Sequence, residues 1–442
     1  MKMEQYGVFL VGGPVMLLLL AIGIFLTLRS GFFQIRGLPF ILKNTVGTLL
    51  KSEPAPEAAG GISPFQAVTT ALAGTMGVGN IAGVATALVA GGPGAVFWMW
   101  VSAFFGMMTK YAEIYLAVRF RRTAADGGHY GGPMYYIRDG VGNGWLAGAF
   151  ALLCALCSLG IGNMSQVNSV ATAMDSAFGV SPWVTGTGVA AIVTVVVFGG
   201  VRRIARVTEL LIPFISLLYI GGAGAFLFIH RQLLGAAFAQ IFTCALSPAS
   251  AAGGALGYGV ARAMRFGLSR GVFTNEAGLG SAPIAHAAAH CKSPRHQGVW
   301  GIFEVFLDTI VVCTITALVL LCAGGGSLWQ ASGLDGAALT IAAFQTVFGQ
   351  AGAQFISISI VFFAVAGMLG WCYYGECAAR FLTGDRKSAR TLYRILFIAC
   401  ILPGALGDLT LVWGISDVLN ALMALPNIAA LLILRRHIRT RP

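Results

Sequence analysis

The chain has 442 residues, of which 57% are hydrophobic and only 10% charged. A soluble fold of that composition would leave far more contiguous apolar surface in water than monomeric proteins tolerate, so the composition points to a polytopic, all-α membrane protein. A formal net charge of +12 would suit nucleic acid, but the basic residues fall in alternate loops between apolar stretches, which is a signature of membrane topology.

Windows of about 20 apolar residues are long enough to cross a bilayer. Eleven such spans follow one another: 7–28, 63–90, 94–118, 145–177, 183–200, 207–229, 254–290, 298–323, 352–380, 388–406 and 411–434. The first lacks a strongly basic lead and a small-residue cleavage site, so it reads as a helix and not as a signal peptide. Of the 28 Lys and Arg residues, 22 lie in the segments 29–61, 119–144, 201–206, 291–296, 380–394 and 435–441. The positive-inside rule then places the N-terminus outside and the C-terminus in the cytoplasm of a plasma membrane, which requires an odd number of spans. The nine cysteines lie mostly in spans, Cys154, Cys157, Cys313 and Cys322 among them, where a thiol behaves as a small apolar group and implies no disulfide.

Two spans are interrupted. In 63–90 the run Ala73 to Asn80 carries Gly74, Thr75, Gly77 and Gly79, and 254–290, too long and polar for one smooth helix, is broken across Arg270 to Gly280. Glycine and small hydroxyl residues at bilayer depth free backbone N–H and C=O groups that lipid cannot satisfy, so a cavity or a ligand must. Breaks at corresponding places in two halves point to the binding site of a secondary transporter. Gly77 and Gly79 do not form a dinucleotide loop, because the next glycine is Gly83 and no strand precedes them. Gly79 and Gly83 also have the spacing of close helix packing, the bland alternative. Against it stand Asn80 and Thr75, whose side-chain oxygens suit a hard cation, with loosened carbonyls completing the set. At the second break Thr274 and Asn275 supply oxygen and Gly278 and Gly280 release the backbone. Glu276 brings a carboxylate to membrane depth, either for function or to pair with Arg270 or another nearby arginine. Helix N-termini at such breaks suit a carboxylate, and the Gly77 and Gly79 amides are the first choice for that role.

Other ionisable residues have two readings each. Asp308, one turn from Glu304, balances a bound cation or a substrate ammonium, or else pairs with Lys110 or an arginine. Lys110 and Glu113 read as a structural ion pair. His286 and His290 have metal-pair spacing, but the glutamate of a zinc-protease motif is absent. Trp98, Trp100, Tyr135 and Tyr136 read as an interfacial aromatic belt.

Longer motifs are more specific: Gly77 to Thr86, Gly91 to Ala95 running into Phe97 to Trp100, Thr109 to Glu113, Gly131 to Ile137, Arg270 to Ala289, Glu304 to Ile310, and Met423 to Asn427. Over nearly its whole length the chain resembles the alanine or glycine:cation symporters, also called the sodium:alanine symporter family. The resemblance implies one transmembrane domain over 1–442 with a leucine-transporter-type fold. An extra helix at 7–28 would precede a five-helix repeat at 63–229 and an inverted copy at 254–434, with 63–90 as core helix one and 254–290 as core helix six. It implies no enzyme and no cofactor, but sodium-coupled symport of a small neutral amino acid, alanine or glycine, by alternating access. Thr75, Gly77, Gly79, Thr274, Asn275 and Gly278 then match the substrate site, and Thr75, Asn80 and Thr274 a first sodium site. A second sodium would use carbonyls near Ala73 and Met76 and hydroxyls of core helix eight. There the chain departs from the family pattern. Ala366 and Gly367 stand where a Thr or Ser pair precedes the Gly370 to Glu376 run, and Ser357 and Ser359 lie about two turns away. The second cation site is therefore expected to be weak or absent, or coupling to have shifted toward protons. Glutamine remains an alternative cargo. A channel would need repeated pore loops or charged rings, and an intramembrane enzyme a nucleophile–base or metal constellation; neither pattern is present in the sequence.

Overall fold

The structure, a computed structural model, describes residues 14–49, 61–124, 127–246, 255–407 and 409–440. The opening residues of the 7–28 span and residue 254 lie outside the described residues. Helix α1 covers Met16–Arg29. The first broken span is α2 (Pro64–Thr75) and α3 (Ala82–Gly91). Next come α4 (Gly94–Arg119), a hairpin of β1 (Arg122–Thr123) and β2 (His129–Tyr130), and the turn of helix Pro133–Tyr136. Helices α5 (Gly144–Leu159) and α6 (Ser165–Phe178) run on through the wide turn Gly160–Met164. They are followed by α7 (Pro182–Val197), α8 (Gly200–Ile229) and α9 (Leu234–Leu246).

The second broken span is α10 (Ala255–Asn275) and α11 (Pro283–Ala287). Helices α12 (Pro294–Val305) and α13 (Thr314–Cys322) are joined by the wide turn Phe306–Cys313. The chain closes with α14 (Gly336–Thr383), α15 (Lys387–Ala399) and α16 (Leu409–Ile433). Six helical runs among the described residues are long and apolar enough to cross a membrane, and Met16–Arg29, Ala82–Gly91 and Pro182–Val197 are shorter apolar helices. Leu210, Leu217 and Phe228 on α8 are 77%, 71% and 68% exposed, the inverse of a soluble helix and the expected face toward acyl chains.

Local chemistry explains where the broken helices start and stop. Ser63 caps α2 by accepting from the Gln66 amide at 3.0 Å, and the Gln66 side chain accepts from the Ser63 amide at 3.0 Å. Pro64 fills the first turn, where its missing N–H costs nothing. The helix stops after Thr75 because Met76 leaves helical geometry (φ −77°, ψ 67°) and Gly77 is extended. A short 3-10 turn, Val78–Asn80, leads on to α3. At the second break Glu276 and Gly278 take positive φ of 53° and 94°, and Pro283 restarts the helix. A left-handed glutamate is uncommon outside glycine, asparagine and aspartate territory.

Packing then places both breaks together in the middle. Helices α10 and α12 lie along α4, α5 and α6 along α14, and α2 against α8 and α14. Residues 67–85 and 274–289 are buried without interruption. Two expectations need correction. The 352–380 span is the second part of a 48-residue helical run that kinks at Gly349 (φ 56°, ψ −142°), so the helical stretch 336–348 ahead of the kink was missed. Tyr135 and Tyr136 are not in an interfacial belt. They are 4% and 0% exposed, because the Pro133–Tyr136 turn tucks them under the helices, where Tyr136 finds a hydrogen-bond partner.

Candidate functional site

Asn80 sits on the 3-10 turn of the first break, fully buried. Its Nδ2 donates to Asp308 Oδ1 at 2.7 Å and to the Asp308 carbonyl at 3.2 Å, and lies 3.4 Å from Cys313 Sγ. Its Oδ1 is buried with no hydrogen-bond partner. Asp308 Oδ2 accepts from the Thr309 hydroxyl at 2.7 Å. Thr309 Oγ1 in turn accepts from Asn275 Nδ2 at 3.3 Å and lies 3.5 Å from Thr274 Oγ1. The wide turn Phe306–Cys313 carries Asp308 and Thr309; such i→i+5 turns add a residue to the helix and re-aim side chains. Five buried side chains from both breaks and the Phe306–Cys313 turn thus converge. One is a carboxylate with no salt bridge among the described residues, and another holds an orphaned acceptor oxygen. A buried, unpaired acceptor costs about 1–3 kcal/mol, which a hard cation taking oxygen ligands would offset. Thr75, expected at the same site, turns its hydroxyl back onto the Ala71 and Leu72 carbonyls, each at 3.3 Å.

The glycine-rich seat holds a residue the sequence reading missed. Gln166 of α6 accepts from the Val78 amide through Oε1 at 3.3 Å, and its Nε2 donates to the Ile161 carbonyl at 3.3 Å. A Cβ on Gly77 would come within 3.0 Å of Gln166 Oε1. The signal was present: Asn163, Gln166 and Asn168 are three amides within six residues of a predicted span. The position expected for a second cation lies alongside. A Cβ on Gly367 would stand 3.4 Å from the Ala73 carbonyl oxygen and 3.5 Å from Gln166 Oε1. Position 367 therefore does face the first break, and it carries no hydroxyl. Met76 meets the Ser216 hydroxyl through its sulfur at 3.9 Å, while Ser359 donates to its own helix at Phe355.

Glu276 accepts from the Ser281 hydroxyl and, at 3.1 Å, from Trp371 Nε1, which also reaches the Gly74 carbonyl at 3.2 Å. One indole on α14 therefore ties the two breaks together. The arginine pairing weighed for Glu276 does not form: among the described residues no salt bridge reaches it. Lys110 pairs with neither Glu113 nor Asp308. Its ammonium lies 3.3 Å from Glu304, both side chains fully buried, and His286 meets the other Glu304 oxygen at 3.2 Å. The cause is close helix approach: a Cβ on Gly301 would fall 2.8 Å from Lys110 Cγ, so α12 presses onto α4 and delivers Glu304 one turn later. His286 also meets Gln297 at 2.8 Å, whereas the His290 ring lies tilted against His129 with centroids 4.8 Å apart.

Comparison with known proteins shows which family the chain is similar to. The profile of the Sodium:alanine symporter family matches residues 3–441. The chain is 48% identical over 430 residues to the "Sodium/alanine symporter AgcS" of Methanococcus maripaludis, covering 96% of this chain and 92% of that protein. It is 37% identical over 423 residues to the "Probable sodium/glutamine symporter GlnT" of Bacillus subtilis, covering 96% and 86%. Among solved structures, a manganese transporter of Eremococcus coleocola superposes with a TM-score of 0.51 at 12% identity, over 86% of this chain and 80% of that one. At that identity the likeness is one of fold alone.

Proposed function

We infer that this chain, which belongs to the sodium:alanine symporter family and is a multi-pass secondary transporter, brings alanine or glycine into the cell together with sodium by alternating access. The observation that carries the reading is the orphaned Asn80 Oδ1 beside the Asp308 carboxylate. Sodium there is coordinated by Asn80 and Asp308, with Thr309 and Thr274 completing the oxygen set and Thr75 joining if its hydroxyl turns from its own helix. Binding neutralises a carboxylate held at membrane depth, so a downhill sodium ion stabilises the loaded state.

The amino-acid carboxylate docks at the amides around Gly77 and Gly79, displacing Gln166 from the Val78 N–H, while Asn275 and the Gly278 backbone line the second break. Glu276 stays a tie between the breaks through Trp371. The Ala73 and Met76 carbonyls lack the hydroxyl partners that positions 366 and 367 would supply, so a second cation site there is weak or absent, or coupling has shifted toward protons. Eleven spans, N-terminus outside and C-terminus inside, with 63–229 and 254–434 as inverted repeats after an extra helix, complete the reading; it is supported by the basic loops and by both breaks meeting at the centre.

A relative named for glutamine keeps one alternative cargo in play. Uptake of labelled alanine, glycine and glutamine into proteoliposomes, under separately imposed sodium and proton gradients, tests both points. Saturable alanine or glycine accumulation driven by sodium is the expected result. Accumulation driven by protons alone would overturn the sodium assignment, and glutamine as the preferred cargo would overturn the substrate.

A further inference from the structure

Three of the motif segments contribute nothing to the cation cluster, yet they converge on one carbonyl of the second break. Asn427 of α16 is fully buried directly after Pro426. Its Nδ2 donates to Glu113 Oε1 at 2.5 Å and to the Gly278 carbonyl at 2.9 Å, and its Oδ1 accepts from the Tyr136 hydroxyl. A primary amide has two N–H donors and one acceptor oxygen. Here both hydrogens face acceptor oxygens and the amide oxygen faces a hydroxyl, so the side chain is matched on every side and its orientation is set by its partners. Gly278 itself has φ 94°, and on its other face a Cβ would stand 2.2 Å from Leu19 Cδ2 of α1. The peptide so held lies between Asn275, which bonds Thr309, and Ser281, which bonds Glu276.

We propose that Asn427 is a positioning residue for transport: anchored on Glu113 and oriented by Tyr136, it holds the Gly278 carbonyl and so sets how the second break presents Thr274 and Asn275 to cation and substrate. The Glu113, Tyr136 and Asn427 motifs thereby acquire one shared role at a distance from the transported species. Leu19 is the counter-support, which gives the extra N-terminal helix a part in shaping the site. The proposal rests on the transporter reading above, and its test separates the two.

The full-length protein in proteoliposomes, taking up labelled alanine under an inward sodium gradient, supplies the first readout. Asn427→Asp conserves size but turns acceptor oxygen toward both Glu113 and Gly278, and it raises the alanine half-saturation concentration about tenfold or more. Tyr136→Phe, the milder change, raises it about threefold. Adding Glu113→Gln to Asn427→Asp returns a donor to the pair and recovers part of the loss. A purely structural role would lower the melting temperature and leave half-saturation unchanged, and that result, or a double variant worse than Asn427→Asp alone, overturns the proposal. The second readout needs no transport: alkylation of the buried Cys313 thiol, which touches Asn80, measured by mass spectrometry. Asn427→Asp speeds it and Glu113→Gln slows it again. If the unmodified protein takes up no alanine, the transport reading fails while Cys313 reactivity still decides the positioning role, unchanged reactivity overturning it.

Discussion

Asp308→Asn is the sharpest perturbation of the cation site. The substitution keeps the shape and leaves an oxygen to accept from Asn80 Nδ2, which lies 2.7 Å from Asp308 Oδ1, but it removes the formal charge. At an effective dielectric near 20, a unit charge about 4 Å from a cation contributes about 4 kcal/mol. Hydrogen-bond rearrangement at Thr309, whose hydroxyl now donates to Oδ2 at 2.7 Å, changes this little, since a hydroxyl can rotate to accept from the new amide. Part of the charge term is lost to relaxation, so the net effect is set at about 2–4 kcal/mol, which is roughly 30- to 1,000-fold in the sodium half-saturation constant. The assay is alanine uptake into proteoliposomes as external sodium is varied, with folding checked by size-exclusion profile and melting temperature. Sodium half-saturation within about threefold of the parent protein, in a folded variant, would refute the assignment of Asp308 as the anionic cation ligand.

Three further outcomes follow from the same geometry. Asn80→Ala removes both the orphaned oxygen and the donor to Asp308, and sodium-driven uptake is lost while the protein remains folded; retained uptake with normal sodium dependence counts against the site. Ala366→Thr with Gly367→Thr restores hydroxyls beside the Ala73 carbonyl, where a Cβ at 367 has ordinary contact distances of 3.4 and 3.5 Å, and raises apparent sodium affinity; an unchanged sodium titration shows that this position is not a latent cation site. Lys110→Met strands the buried Glu304 without its ammonium and destabilises the fold by about 3–5 kcal/mol, read as a fall in melting temperature, and Glu304→Gln in the same chain restores much of it. A Lys110→Met melting temperature equal to that of the parent would mean that the pair contributes no stability.

Much of this protein was legible in its sequence because membrane depth makes local chemistry informative. An apolar composition with most basic residues in alternate loops points to a bilayer, and glycine with small hydroxyls inside a span advertises backbone groups that something must satisfy. The stops at Thr75 and Asn275, the capping of α2 by Ser63, and the buried polar amide at Asn80 beside the first break all follow from residues within a few positions of one another. Partner choice did not follow, because it depends on how far each helix is rotated and how closely two backbones approach. Asn80 finds Asp308 across 228 residues. Lys110 meets Glu304 and not Glu113, because Gly301 lets α12 close on α4. Gln166 reaches the first break only once α6 lies against it, and Tyr136 becomes buried only when its loop folds beneath the bundle to meet Asn427. The sequence therefore declared that two helices must break and that polar atoms must answer them, and the packing of the other helices decided which atoms do.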